Sequence, residues 1–141
     1  MKFLYSLLLL AGLFFLVGCQ NSEGNTMVLL DEKVKEINLS KSNGIGDMNQ
    51  DIIFSFDDKE SIKVFEGAIR TAVKHQSNIN VTKPDYDVMV DYDGGFPTHA
   101  IHLWLGDEGE KSILMYMVGG ETYLTSSKAT DQLRGLILSE Q

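Results

Sequence analysis

The alternation that decides the fold lies in residues 85–93, which read Asp-Tyr-Asp-Val-Met-Val-Asp-Tyr-Asp. Tyrosine and valine hold every even position, whereas aspartate and one methionine hold the odd ones. Because side chains along a strand point alternately to opposite faces of a sheet, this period of two predicts a strand with one apolar face and one acidic face. We expect the acidic face to be solvated, which also discourages aggregation at a sheet edge.

Three further strands are predicted after this one. The chain turns at residues 93–97, and residues 99–105 and 113–118 then form two apolar strands. Gly119-Gly120 favours a two-residue hairpin, because the turns preferred there need positive φ. Residues 121–125 return, so the four strands together predict an antiparallel meander.

Two helices flank the meander. Residues 57–75 are predicted as a helix that begins with Asp57 as its N-cap. Its apolar positions recur at helical spacing and form one stripe: Ile62, Phe65, Ile69, Ala72 and Val73. A last helix over residues 128–138 is predicted to follow a serine cap at Ser126 or Ser127.

Two earlier strands, over residues 33–40 and 51–56, complete the pattern. The resulting order is β-β-α-β-β-β-β-α. It predicts a single α+β domain over residues 27–141, with an antiparallel sheet and both helices on one face.

The amino-terminal residues have the pattern of a targeting segment rather than of a part of the folded domain. Lys2 precedes an uncharged, mainly apolar run over residues 3–17, which is shorter than the roughly 20 residues of a spanning helix. The run ends in Leu16-Val17-Gly18-Cys19, which resembles the lipobox of bacterial lipoproteins. That resemblance implies a signal peptide over residues 1–18, cleavage between Gly18 and Cys19, and diacylglycerol on the Cys19 sulfur.

A lipid on Cys19 would make the membrane the first partner of this protein. Two or more acyl chains hold a protein firmly to a bilayer, whereas one chain binds reversibly. The polar residues 20–26 would then form a short tether of at most about 25 Å. We therefore expect a protein that is lipid-anchored at the extracytoplasmic side of the cell membrane.

A second resemblance lies in the mature part of the chain. Residues 101–105 (Ile-His-Leu-Trp-Leu), 112–118 and 122–125, followed by a leucine-bearing helix, resemble the YhfM-like lipoproteins of Gram-positive bacilli. The similarity spans about residues 45–138. It implies a lipoprotein and no catalytic assignment.

Composition excludes several functions. The formal net charge is −8, from 12 basic and 20 acidic residues, whereas proteins that bind nucleic acid need clustered lysine and arginine. The single cysteine rules out a disulfide framework.

Metal and catalytic motifs are weak. The acidic residues of 85–93 would suit calcium, but an EF-hand register would place Met89 and Ala100 at ligand positions. His99 and His102 are three residues apart, so on a strand they face opposite ways. We expect no metal site and no cofactor.

No Gly-x-Ser-x-Gly motif occurs in the sequence. A carboxylate pair for glycoside chemistry stays open, because its required separation is spatial.

The face of the sheet away from the helices is the most informative feature. In residues 100–105 and 113–118, the odd and the even positions are both mainly apolar or aromatic. If the helices cover one face, then His102, Trp104 and either Tyr116 or Met115 should lie on the other. His102, Trp104 and Tyr116 are our candidate recognition face for a protein partner, since Trp and Tyr are common interface anchors. Alternatively, residues 27–30 or a second copy of the chain cover it.

We therefore expect a binding module rather than an enzyme. The alternatives are a regulator or inhibitor of a secreted envelope protein, or a cell-envelope hydrolase.

Overall fold

The computed structural model describes residues 24–77 and 79–141. The predicted signal peptide, the cleavage after Gly18 and the lipid on Cys19 lie outside the described residues. The strands are β1 (Val34–Lys41), β2 (Ile52–Phe56), β3 (Val73–Lys74), β4 (Tyr86–Tyr92), β5 (His99–Trp104), β6 (Ile113–Tyr116) and β7 (Thr122–Leu124). The helices are α1 (Lys59–Thr71) and α2 (Ser127–Ser139). Neither described helix is long and apolar enough to cross a bilayer.

The strands form one antiparallel sheet in the order β2-β1-β4-β5-β6-β7-β3. Strands β4 to β7 are neighbours in chain order, which confirms the predicted meander and the α+β fold. Strand β3 was not predicted. Because β2 and β3 lie at opposite edges, the connecting helix α1 has to cross one face of the sheet.

Both helices pack on that same face, which we call the helix face. Leu39, Val88 and Ile101 are opposite one another on β1, β4 and β5, and all are at most 1% exposed. They share one apolar cluster with the buried side chains of the two helices: Ile62, Phe65, Ala68 and Ile69 from α1, and Ala129, Leu133 and Ile137 from α2. Burial of this size is the main driving force of folding, so the helix face is the core of the domain.

The N-caps of the two helices differ in how well they were predicted. Asp58 caps α1 in place of Asp57, because its carboxylate accepts the Ser61 N–H at 2.9 Å. Asp57 was therefore the wrong choice between two adjacent aspartates. Ser126 caps α2 by accepting the Ala129 N–H at 3.1 Å, as one of the two predicted alternatives required.

The carboxyl end of α1 comes earlier than predicted. The helix ends at Thr71 because Ala72 adopts extended angles, φ −65° and ψ 129°. Val73 then pairs with Leu124 at the edge of the sheet, and its side chain is 52% exposed rather than part of the apolar stripe. Val73 is β-branched and fits a strand better than a helix end, so backbone pairing with β7 replaces the last predicted turn.

The β6–β7 hairpin is also longer than predicted. β6 ends at Tyr116 and Met115 pairs with Thr122, so the connection is wider than a two-residue turn. Gly119 and Gly120 both have positive φ, 132° and 75°. The glycines therefore supply the expected backbone freedom, but within a wider loop.

Candidate functional site

A row of facing residues crosses the other side of the sheet, which we call the loop face. The strand register places Ser40, Asp87, His102 and Met115 side by side on β1, β4, β5 and β6. Ser40, Asp87 and His102 are 0% exposed. The fold thus brings a hydroxyl, a carboxylate and an imidazole together beneath a covering segment.

The covering segment is residues 42–50, which we call the cover loop. Its Gly46 N–H donates to His102 Nε2 at 3.1 Å, so that nitrogen is an acceptor. The proton of the neutral ring therefore sits on Nδ1, which donates to Asp87 Oδ1 at 2.8 Å. The second Asp87 oxygen accepts the Asn49 N–H at 2.9 Å. The buried pair is thus fully hydrogen-bonded, and it fixes the cover loop by its backbone.

The order of this row is unsuited to a serine-type catalytic triad. A triad needs the imidazole between the serine and the carboxylate, but here Asp87 lies between Ser40 and His102. The Ser40 hydroxyl instead donates to the Asn49 carbonyl at 2.7 Å. All three side chains therefore hold the cover loop in place in this arrangement.

A second segment, residues 79–84, covers the next part of the loop face. Trp104 Nε1 donates to the Thr82 carbonyl at 2.9 Å, and Trp104 is 9% exposed. The Trp104 ring meets His102 edge-on, with ring centroids 6.2 Å apart. His102 and Trp104 do share the loop face, as predicted, but two segments of the same chain cover them.

The predicted recognition face needs a correction at Tyr116. The register pairs Tyr116 with Ile101, which places it on the helix face, whereas Met115 pairs with His102. The hydroxyl of Tyr116 donates to the Val28 carbonyl and accepts the Val28 N–H. His102, Trp104 and Tyr116 therefore do not form one exposed surface.

Residues 27–30 were proposed as a cover for the loop face, and this was wrong. Met27 and Leu29 belong to the helix-face cluster and are each 2% exposed. The segment is anchored along the β3 edge, where the Asn25 carbonyl accepts the Lys74 N–H at 2.6 Å. Within residues 24–77 and 79–141, the amino-terminal segment is thus hydrogen-bonded to the sheet at Asn25.

The acidic face that the alternation predicted is solvated at its two ends, where Asp85 is exposed and the Asp93 side chain is 46% exposed, but not in its middle. Asp87 is buried because the cover loop folds over it. Asp91 is half-buried and accepts hydrogen bonds from Asn38 Nδ2, at 3.1 Å, and from the Thr98 hydroxyl. Within the part of the chain that the structure describes, no three His, Cys, Asp or Glu side chains converge as metal ligands.

His99 lies on the helix face, so the prediction that His99 and His102 face opposite ways is confirmed. Its Nδ1 is 2.6 Å from the Tyr92 hydroxyl, which also accepts the Leu30 N–H at 3.2 Å. Burial lowers the pKa of His99 and raises the pKa of Tyr92. The phenol therefore keeps its proton and donates it to a neutral imidazole.

An open groove of about 380 Å³ lies on the loop face beside the buried row. Three methionines line it, Met48 from the cover loop, Met89 from β4 and Met117 just after β6, and we call it the methionine groove. Met89 is directly opposite Ala100, and the Met117 N–H donates to the Ala100 carbonyl at 3.0 Å. A small residue thus separates two long ones, which leaves a hollow in the sheet surface.

Sequence reasoning missed this groove. Its residues come from three distant segments, and only the register brings them together. One signal was present, because Met89 is the single apolar residue at the odd-numbered positions of residues 85–93, which are otherwise aspartates.

The sheet with both helices on one face defines an α+β domain, and comparison with known proteins places it further. The chain belongs to the YhfM family, since the family model described as YhfM protein matches residues 30–141. No curated protein matches the chain. The crystal structure of a thioesterase-like protein from Clostridium sporogenes has a similar fold, with a TM-score of 0.59 and 16% sequence identity. The match covers 74% of this chain and 94% of that chain, and at this identity it shows a shared fold only.

Proposed function

We propose that this protein is a lipoprotein anchored at the extracytoplasmic side of the cell membrane, and that its domain is a binding module. The observation that carries the anchoring is Leu16-Val17-Gly18-Cys19 directly after the apolar run of residues 3–17. Diacylglycerol on Cys19 would supply the membrane affinity, because each buried methylene contributes roughly 0.8 kcal/mol. The methionine groove is the proposed ligand site.

The attachment of the amino-terminal segment supports a defined orientation at the membrane. Five residues separate Cys19 from Asn25, whose carbonyl accepts a hydrogen bond from β3. That length spans at most about 20 Å. The β3 edge of the sheet would therefore face the bilayer. The methionine groove, centred on β4 and β5, would lie several strands away from it and open to the medium.

The anchoring is tested by feeding cells an alkyne-tagged fatty acid and following the full-length protein. We expect the wild-type chain to take up label and partition with membranes, and Cys19→Ser to take up no label and either leave the membrane or keep its leader. Ser22→Ala is the matched control, since it removes a neighbouring nucleophile and should leave labelling unchanged. Label that persists in Cys19→Ser would contradict the proposal, as would an intact leader in the mass spectrum of the wild type.

A second candidate function is thioester hydrolysis, which the description of the structural neighbour as thioesterase-like favours. Asp87 and His102 are the acid–base pair available for it. The Gly46 N–H is bonded to His102 Nε2 and the Asn49 N–H to Asp87 Oδ2. Because these bonds block the two side chains, a reaction would need the cover loop to move. We expect the full chain to leave acyl thioesters intact. Turnover that Asp87→Asn abolishes would instead identify an enzyme.

A further inference from the structure

The methionine groove carries an inference about the chemistry of its ligand. Met89 and Met117 flank Ala100 from the two sides of β5, at the same level of the sheet. Backbones two strands apart are separated by about 10 Å, and Ala100 fills little of that gap. Unbranched methionine side chains are flexible enough to lean inward over such a small residue.

The third methionine, Met48, belongs to the cover loop. Met48 precedes Asn49, whose N–H is bonded to Asp87 and whose side-chain amide donates to the Lys41 carbonyl at 2.8 Å. The cover loop therefore fixes the backbone that carries Met48. The buried Asp87–His102 pair acts on the groove through this loop, as a positioning device.

Three thioethers around one hollow form a soft donor set. Thioether and thiolate ligands select Cu(I), whereas imidazole and carboxylate suit the harder divalent ions. The half-buried Asp91 also lines the groove, and the net charge of −8 favours cations in general. Hence the groove combines sulfur ligands with a negative surrounding field.

We propose that the methionine groove binds one monovalent soft metal ion, Cu(I), through Met48, Met89 and Met117. This proposal rests on the proposed function to the extent that it takes the same groove as the ligand site. It does not depend on the lipid at Cys19. The main alternative is that the methionines merely fill space or receive an apolar ligand.

Replacement of methionine by leucine separates these cases, because leucine keeps the apolar volume and removes the sulfur. The test uses the full chain carrying Cys19→Ser, so that no thiol competes for the metal. Ag(I), which is stable in air, is titrated calorimetrically, and Cu(I) is titrated against a chromophoric chelator. Met115→Leu is the matched control, since Met115 is buried on the same face outside the groove.

We expect one Ag(I) or Cu(I) per chain, and a loss of affinity of more than about tenfold for each of Met48→Leu, Met89→Leu and Met117→Leu. Met115→Leu should bind as the parent does, and Zn(II) should not compete. Absence of binding, or equal binding by the groove variants and the parent, would overturn the proposal. Failure of this chain to bind Ag(I) would refute the metal site alone, whereas a wild-type chain that takes up no fatty-acid label would refute the anchoring alone.

Discussion

Helices α1 and α2 close one face of the sheet with apolar side chains, whereas the cover loop closes part of the other with backbone N–H groups. Burial on the helix face is non-directional and scales with the apolar area removed from water. On the loop face it depends on individual hydrogen bonds to Asp87 and His102, each with a fixed geometry. The first kind of burial supplies stability. The second positions a loop, and with it one wall of the methionine groove.

The largest expected effect is a loss of stability when the packing of the helix face is disrupted. Leu103→Ala removes a side chain that is 0% exposed, so we expect the free energy of unfolding to fall by about 2–5 kcal/mol. Urea unfolding followed by the fluorescence of Trp104, the single tryptophan, measures it. Val118→Ala, at an 82% exposed position, should change stability by no more than about 0.5 kcal/mol. Equal losses in the two variants would mean that the helix face is not the core.

A smaller and more local effect is expected on the loop face. His102→Phe keeps an aromatic ring but leaves the Asp87 carboxylate and the Gly46 N–H without that partner. We expect a loss of about 1–3 kcal/mol, because a buried polar group without a partner bears its desolvation cost. Amide hydrogen exchange should become faster at Gly46 and Asn49, ahead of exchange in the core.

His75→Phe is the control for this variant, since His75 is half-buried and, among the residues that the structure describes, its ring bonds only to Ser77. It should leave exchange in the cover loop unchanged. Protection at Gly46 that survives in His102→Phe would show that other contacts hold the loop, and the comparison between the faces would lose its basis.

The same difference explains how much could be predicted from sequence. The helix face is encoded in local periodicity: alternation at residues 86–92 and helical spacing at residues 62–69 predicted both layers. The loop face is not, because Asp87 and His102 meet only through the register of β4 and β5. The cover loop looks like any polar segment containing glycine, so nothing local marks it as a lid over buried charge.

Two further failures have the same origin. Val73 continues the helical spacing of α1, but it pairs with Leu124 and with Thr26 from distant parts of the chain, and the helix ends before it. Tyr116 was placed on the wrong face because residues 113–118 are apolar at both parities, so periodicity could not assign a side. Where local pattern and long-range pairing disagree, pairing decides, since it satisfies backbone groups that would otherwise be buried without partners.

The smallest expected effect concerns His99, the histidine of the helix face. Burial holds the pKa of His99 below its ordinary value of 6.5, and the Tyr92 hydroxyl donates to its unprotonated Nδ1. Below about pH 6.5 the unfolded chain therefore binds a proton that the folded chain binds only at lower pH. Stability should decline as the pH falls from about 6.5 through the folded-state pKa, and this contribution should level off below it.

His99→Gln removes the titrating group, so between about pH 5.5 and 7.5 its free energy of unfolding should change less with pH than that of the wild type. Urea midpoints collected across this range measure the difference, and parallel pH profiles for the two proteins would show that His99 titrates alike in the folded and unfolded chains.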